Sequence, residues 1–216
     1  RGPVGGAERN PGGRDWFSQN AQGVVYCRGI DTMYFRFGTR KIVEAAATLL
    51  RSEAYRRMSY LRLLKLLYLA DRETLREVGR PIVGTRPVAM KHGPVLSEVL
   101  DLVKGEHFDE PIWSEFIRRD GYEVELTKDP GVLTLSRYEI GVLTKTAEAN
   151  RDTDDWELVQ KTHAFEEWAK NYREGTSTPI PFEDMIEAVG RAADREEILQ
   201  DARETEVIRK FFGCPT

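Results

Sequence analysis

The chain has 216 residues, of which 36 are acidic and 32 are basic, so its formal net charge is −4. This length suits one domain with a sizeable core, or one domain with an appendage. Because there is no basic excess to hold a phosphate backbone, binding to nucleic acid through bulk charge is disfavoured.

Cysteine usage and hydropathy indicate a soluble, cytoplasmic protein. Cys27 and Cys214 lie near opposite ends, with neither CxxC spacing nor a neighbouring histidine. This pattern predicts reduced thiols and no metal site. No apolar run reaches the roughly 18 residues that a membrane helix needs, and no signal-peptide pattern occurs. We therefore expect no membrane association and no cofactor.

The N-terminal stretch is rich in glycine and proline and has no hydrophobic periodicity. Such a composition predicts a disordered extension over residues 1–32. Ordered-looking sequence follows Met33 at once. We therefore expect Met33 to be a native start and residues 33–216 to form the folded domain.

Two amphipathic helices are predicted next. From Thr39, apolar residues recur every three or four positions, which indicates a helix with one buried face. A second helix follows Ser59, a suitable N-cap, and is apolar nearly all round. We expect it to be the buried central helix, ended by Gly79 and Pro81. Its narrow polar stripe comprises Arg62, Lys65 and Arg72.

The middle of the chain predicts a turn, a helix and a hairpin. Residues 82–91 read as short extended pieces around a turn, and Gly93 with Pro94 is typical of a helix start. Gly105 would end that helix. Alternating residues in YEVEL and VLTLS flank an Asp-Pro-Gly turn, which predicts a β-hairpin over residues 122–136.

Helical signals dominate the C-terminal half. Ser136 and Glu139 form a capping box that opens a helix. An amphipathic unit over residues 154–172, an extended link around Pro179, FEDMIEAVG, and a last charged helix follow. The fold class predicted is mainly α: a single helical domain around a buried central helix, with a small β-hairpin or three-stranded sheet.

Individual residues favour structure over catalysis. Lys91 and His92 have neither an orienting partner nor a nucleophile in the sequence pattern, so an exposed turn is the favoured interpretation. The alternative is that they receive a partner's carboxylate or phosphate together with free amides at a helix start. For Asp71, we expect a local ion pair with Lys65 or Arg72 at the edge of the core.

The remaining aromatic and histidine residues also suggest packing rather than chemistry. Trp156 and Trp168 fall on apolar helical faces, and His163 has no neighbour at metal-ligand spacing. The chain has no GxxxxGK[ST], GxGxxG, GxSxG or HExxH motif. The residue chemistry therefore predicts a helical protein that is not an enzyme.

Three blocks of the sequence stand out: KLLYLAD (65–71), GRP (79–81) and AMKHGPV (89–95). Together they resemble the signature of the Panacea domain, found in SocA-type antitoxins and phage-associated proteins. In the last block, His92 stands where the family commonly has tyrosine. The resemblance extends over roughly residues 40–188, whereas residues 1–32 match nothing in the family and carry no helix-turn-helix module.

The resemblance implies an antitoxin of a two-gene toxin–antitoxin system, which neutralises a cognate protein toxin encoded nearby by binding it. Some members also deliver their toxin to a cytosolic ATP-dependent protease, so an adaptor role is a further expectation. The alternative is a DNA-binding transcriptional or phage regulatory protein.

Two sets of residues follow from this interpretation of the signature. The expected partner-binding residues are Lys65, Tyr68, Asp71, Arg72, Lys91 and His92. The expected structural motif comprises Gly79, Arg80, Pro81, Gly93 and Pro94. We expect the first set to lie on the polar stripe of the central helix and on the turn that follows it.

Overall fold

The structure is a computed structural model that describes residues 18–19, 25–26, 35 and 37–212, with side chains for 35 and 37–208. The chain divides into two compact units, residues 1–32 and residues 33–216. In the first unit, β1 (Ser18–Gln19) pairs antiparallel with β2 (Val25–Tyr26). The expectations of a disordered extension, of a start at Met33 and of reduced Cys27 and Cys214 otherwise lie outside the described residues.

The second unit is mainly α-helical, as predicted. Over the described residues, its helices are α1 (Thr39–Arg51), α2 (Tyr60–Val78), α3 (Ser97–Lys104), α4 (Glu110–Ser114), α5 (Arg137–Ala149), α6 (Asp155–His163), α7 (Glu166–Asn171), α8 (Phe182–Ala188) and α9 (Arg195–Phe212). Its strands are β3 (Arg57–Ser59), β4 (Pro87–Met90), β5 (Gly93–Leu96), β6 (Ile117–Asp120), β7 (Glu123–Leu126) and β8 (Thr178–Pro179). They form two antiparallel sheets of three strands, β3-β7-β6 and β5-β4-β8.

Helix α2 is the buried centre of the domain, which confirms the prediction. The Ser59 hydroxyl accepts a hydrogen bond from the Arg62 amide at its start, and Gly79 ends it in the left-handed conformation with φ 73°. It packs against α1, α5, α6 and β5. Its core leucines have almost no exposed surface, and each such burial contributes about 1.5–3 kcal/mol.

The helix predicted to start at Gly93 begins instead at Ser97, so that prediction was wrong. Residues 93–96 form β5, in which Val95 pairs with Val88 of β4. Met90 and Gly93 face each other at the end of the ladder, so Lys91 and His92 form a two-residue hairpin loop. Pairing with β4 therefore overrides the usual preference of Gly-Pro for a helix start.

The predicted hairpin over residues 122–136 was also wrong in its second strand. Strand β7 pairs with β6 on one side and with β3 on the other. The segment after residue 131 forms no strand, because its Leu133, Thr134 and Leu135 amides donate to the buried Glu44 carboxylate at 2.9, 2.8 and 3.3 Å. Burial raises the pKa of Glu44, but the Thr134 and Leu133 hydrogen bonds outweigh it and hold this pKa below its usual value.

The C-terminal helices agree with the prediction in type and differ in detail. The Ser136–Glu139 capping box is present at the start of α5. The unit over residues 154–172 is two helices, α6 and α7, rather than one. The predicted extended link around Pro179 is present and contains strand β8, in which Thr178 pairs with Ala89. Among the described helices, none is long and apolar enough to cross a membrane.

Candidate functional site

The polar side chains of α2 do not form a surface stripe, because most of them are buried. Lys65 has no exposed surface, and its Nζ donates a hydrogen bond to the Pro94 carbonyl at 2.8 Å. Burial lowers the pKa of Lys65 to about 7. Lys65 therefore fastens β5 to the central helix instead of facing solvent.

Asp71 organises the loop that follows α2. Its buried carboxylate accepts hydrogen bonds from the amides of Ile82, Val83 and Gly84 at 2.9, 2.7 and 3.0 Å. The expected ion pair of Asp71 with a neighbouring cation is wrong, because backbone amides occupy the carboxylate. Desolvation raises the pKa of Asp71 to about 6, against the lowering effect of these amides.

Tyr68 and Arg72 meet on one buried carboxylate from α7. The Tyr68 hydroxyl and the Arg72 Nε donate to Glu167 Oε1 at 3.0 and 2.9 Å. Arg72 also donates to the Ala188 carbonyl at 3.0 Å and lies over the Phe165 ring, 4.1 Å from its centroid. Burial raises the pKa of Tyr68 well above its usual value. These contacts join α2 to α7 and α8.

The hairpin loop between β4 and β5 is an exposed part of the signature. The side chains of Lys91 and His92 face solvent, and among the described residues neither makes a side-chain hydrogen bond or ion pair. The His92 ring lies 5.8 Å from the ring of Trp156, at an interplanar angle of 60°. Trp156 is 57% exposed, so its predicted role in packing was wrong.

Beneath this loop, α6 and α7 hold the hairpin in place. Gly93 has φ 89°, and a Cβ atom there would lie 2.6 Å from Thr162 Oγ1 and 2.8 Å from Lys65 Nζ. The indole of Trp168 donates to the Met90 carbonyl at 3.0 Å. The loop is therefore exposed at its tip and fixed at its base.

His163 completes the base of the hairpin. Its ring stacks on Trp168 with centroids 4.0 Å apart, and its buried Nε2 has no hydrogen-bond partner among the described residues. Burial, followed by the nearby charge of Lys65, lowers the pKa of His163. Neither Thr162 nor His163 was a predicted site residue, because about 70 positions separate them from the loop and no local pattern joins them.

A comparison with known protein families identifies the family of this domain. Residues 63–169, which include α2 from its fourth residue and the hairpin and reach Glu167, match the family described as Antitoxin SocA-like, Panacea domain. This part of the chain belongs to the Panacea-domain family. Neither the curated proteins nor the solved structures contain a match to the chain.

The GRP block of the Panacea signature shapes the exit from the central helix. Gly79 takes the left-handed conformation that ends α2, and Pro81 is buried beside it. Arg80 forms an ion pair with Asp201 of α9 at 3.2 Å and lies 5.1 Å from the centroid of Phe35. This block therefore directs the chain into the loop that Asp71 holds.

The chemistry of the Panacea domain at this site favours recognition. Among the described residues, no group of three His, Cys, Asp or Glu side chains converges as a metal site. The family is antitoxin-like and is not a known enzyme family. The exposed loop offers a cation, an imidazole and a neighbouring indole on a fixed base, which suits contact with another macromolecule.

Proposed function

We propose that this Panacea-domain protein neutralises a cognate protein toxin by binding it directly. The proposed contact surface consists of Lys91, His92 and Trp156, here named the turn surface. The observation that carries the proposal is that these side chains are exposed, while hydrogen bonds from Trp168 and Lys65 fix the strands on either side of the loop.

A fixed base lowers the entropic cost of binding. A loop that is already ordered loses little conformational freedom when a partner docks, and this saving appears as affinity. Trp156 supplies the large aromatic area that interface hot spots commonly have. Lys91 adds a positive charge, which favours an acidic or carbonyl-rich patch on the toxin.

The buried residues predicted to bind the partner take a supporting role in this proposal. Lys65, Tyr68 and Asp71 have at most 1% exposed surface. In the folded domain, their side chains hold the hairpin, α7 and the loop after α2. We propose that they act on toxin binding through the position of the turn surface.

The first test is growth of a bacterial host that expresses the gene adjacent to this one. We expect growth arrest, and rescue when this chain is supplied from a second promoter. Binding of the two purified proteins is then measured by calorimetry. Replacing Trp156 or the pair Lys91 and His92 with alanine should weaken binding about thirtyfold, equivalent to ~2 kcal/mol.

A matched control separates this surface from exposed apolar area in general. Leu133 is 82% exposed on a different loop, so Leu133→Ala should leave affinity unchanged. Arrest without rescue would contradict the proposed function. In that case, a salt-dependent shift of promoter DNA by the purified protein would support the regulatory alternative.

Neutralisation by delivery to a protease is the second activity that we propose to test. An adaptor shortens the half-life of its toxin, whereas a simple inhibitor leaves it unchanged or lengthens it. The half-life of the toxin is measured after translation is stopped, in hosts with and without the ATP-dependent proteases. Rescue with a protease-independent half-life would exclude the adaptor role and retain direct binding.

A further inference from the structure

An open groove of about 550 Å³ runs between α2 and α5 and is bounded by residues of α6 and the segment before α7. Its lining mixes apolar side chains, such as Leu69 and Phe165, with charged ones. We name it the α2–α5 groove. It is distinct from the turn surface, none of whose residues line it.

The charges available in this groove are positive, although the chain carries a net −4. Arg137 and Lys145 are exposed on α5, and within the described part of the chain neither has an ion-pair partner. The acidic residues of the opposite wall are already engaged: Glu73 binds Arg76, and Glu77 accepts from the Tyr138 hydroxyl at 2.6 Å.

The other two cations of the groove are also in use. Arg72 is paired with Glu167, and Lys161 donates to the Asn150 side chain at 2.9 Å. The available positive charge is therefore confined to one wall, on α5.

Gly141 lies between these two free cations, four residues from each, so all three share one face of α5. Its backbone is helical, and a Cβ atom there would meet nothing within 4 Å. Neither backbone geometry nor internal packing therefore requires glycine, which is unfavourable inside a helix. A bare backbone at this point leaves room for the close approach of another backbone.

We propose that the α2–α5 groove binds an acidic α-helical segment of the protein that this chain neutralises. From Arg137 to Ala149, the groove wall extends about 18 Å along α5 at 1.5 Å per residue, which suits a helix of about three turns rather than a small anion. Such a helix would cross at Gly141 and place its carboxylates at Arg137 and Lys145. The proposal rests on the proposed function for the source of the helix.

The test uses a peptide probe, so that it does not depend on toxin rescue. A phage-displayed library of 14-residue helical peptides, with Asp or Glu fixed at two positions two turns apart, is selected on the full-length protein. A matched library carries Lys at those positions. We expect enrichment of the acidic library alone, and at least tenfold weaker binding of the selected peptides to Gly141→Leu and to Arg137→Glu with Lys145→Glu.

Two controls keep a structural effect apart from a loss of contact. Thr144→Leu places the same bulk on α5 outside the groove lining and should leave peptide binding unchanged. Gly141→Ala should raise the melting temperature of the protein and lower its affinity for the peptide. A glycine that serves only the fold would not produce both effects together.

The outcomes of the peptide test and of the growth test are separable. Equal binding to wild type and Gly141→Leu, or no enrichment of the acidic library, would overturn the groove proposal even if rescue succeeds. Acidic peptides that bind the wild-type protein but not Gly141→Leu would support the groove proposal, even if the adjacent gene product proves harmless. In that case only the proposed function would be contradicted.

Discussion

The two conspicuous polar regions of the Panacea signature, the helix segment Lys65–Asp71 and the loop Lys91–His92, lie in opposite environments. In the helix segment, the polar side chains are buried and each binds a distant part of the chain. In the loop, both side chains face solvent. Most polar side chains of these two regions therefore make hydrogen bonds inside the domain, and only those of the loop are available to a partner.

The two regions are physically linked, because Lys65 binds the strand that carries the loop. Changes in the helix segment should therefore alter the free energy of unfolding, whereas changes in the loop should alter binding. Measuring stability and binding separately for the same variants tests this distinction.

Removing the Asp71 carboxylate should have the largest effect. Asp71→Ala leaves three buried amides without an acceptor, and each such group costs about 1–3 kcal/mol. We expect the free energy of unfolding to fall by about 5 kcal/mol, measured by urea denaturation. Asp152→Ala, at an exposed position, is the control and should change it by less than ~0.5 kcal/mol.

The pH dependence of stability should report on Lys65. The unfolded lysine holds its proton up to about pH 10.5, whereas the folded one releases it near pH 7. Between these values the unfolded state binds more protons, so the free energy of unfolding rises with pH, by roughly 4 kcal/mol at 1.36 kcal/mol per unit. We expect Lys65→Met to lack this rise when denatured at pH 7, 8.5 and 10. Parallel curves for the two proteins would contradict the burial of the ammonium.

Gly93 should tolerate a side chain less well than another turn glycine. Gly93→Ala adds a Cβ within 2.8 Å of both Thr162 and Lys65, at a positive φ. Gly121→Ala shares the positive φ but meets nothing within 4 Å. We expect losses of about 3 and about 1 kcal/mol, measured by thermal denaturation. Equal losses would show that close packing beneath the hairpin contributes nothing.

The smallest effect on stability should come from the exposed loop. Replacing Lys91 and His92 with alanine removes no buried contact, so the free energy of unfolding should change by less than ~0.5 kcal/mol. Retained stability with weakened toxin binding would place recognition at the loop. A destabilised protein would instead assign the loop to the scaffold.

Local signals were sufficient to predict the central helix and the start of α5. Ser59, Gly79 and the Ser136–Glu139 capping box act within a few residues of where they stand, so the sequence alone shows their effect. Glu44 shows the opposite case. Its carboxylate accepts hydrogen bonds from amides about 90 positions away, so the VLTLS segment does not form a β-strand. The local sequence gives no indication of these long-range hydrogen bonds.

The candidate site was predictable only in part. The exposed turn at Lys91 and His92 was the favoured interpretation of the sequence, and the structure has it. Burial of Lys65 was missed, because its acceptor is a backbone carbonyl and carbonyls carry no sequence signal. The Gly-Pro pair was misread for a related reason: strand pairing with β4 determines its conformation, and pairing is a tertiary property.

Strand β8 has a consequence for the order of events during synthesis. Residues 178–180 supply the outer neighbour of β4, with the Ile180 amide donating to the Pro87 carbonyl at 2.9 Å. Until the ribosome has released this segment, β4 remains an open edge beside the hairpin. A nascent chain therefore cannot complete the β5-β4-β8 sheet that carries the loop until residues 178–180 have been translated. A premature stop before residue 178 should therefore yield a fragment whose open sheet edge favours aggregation.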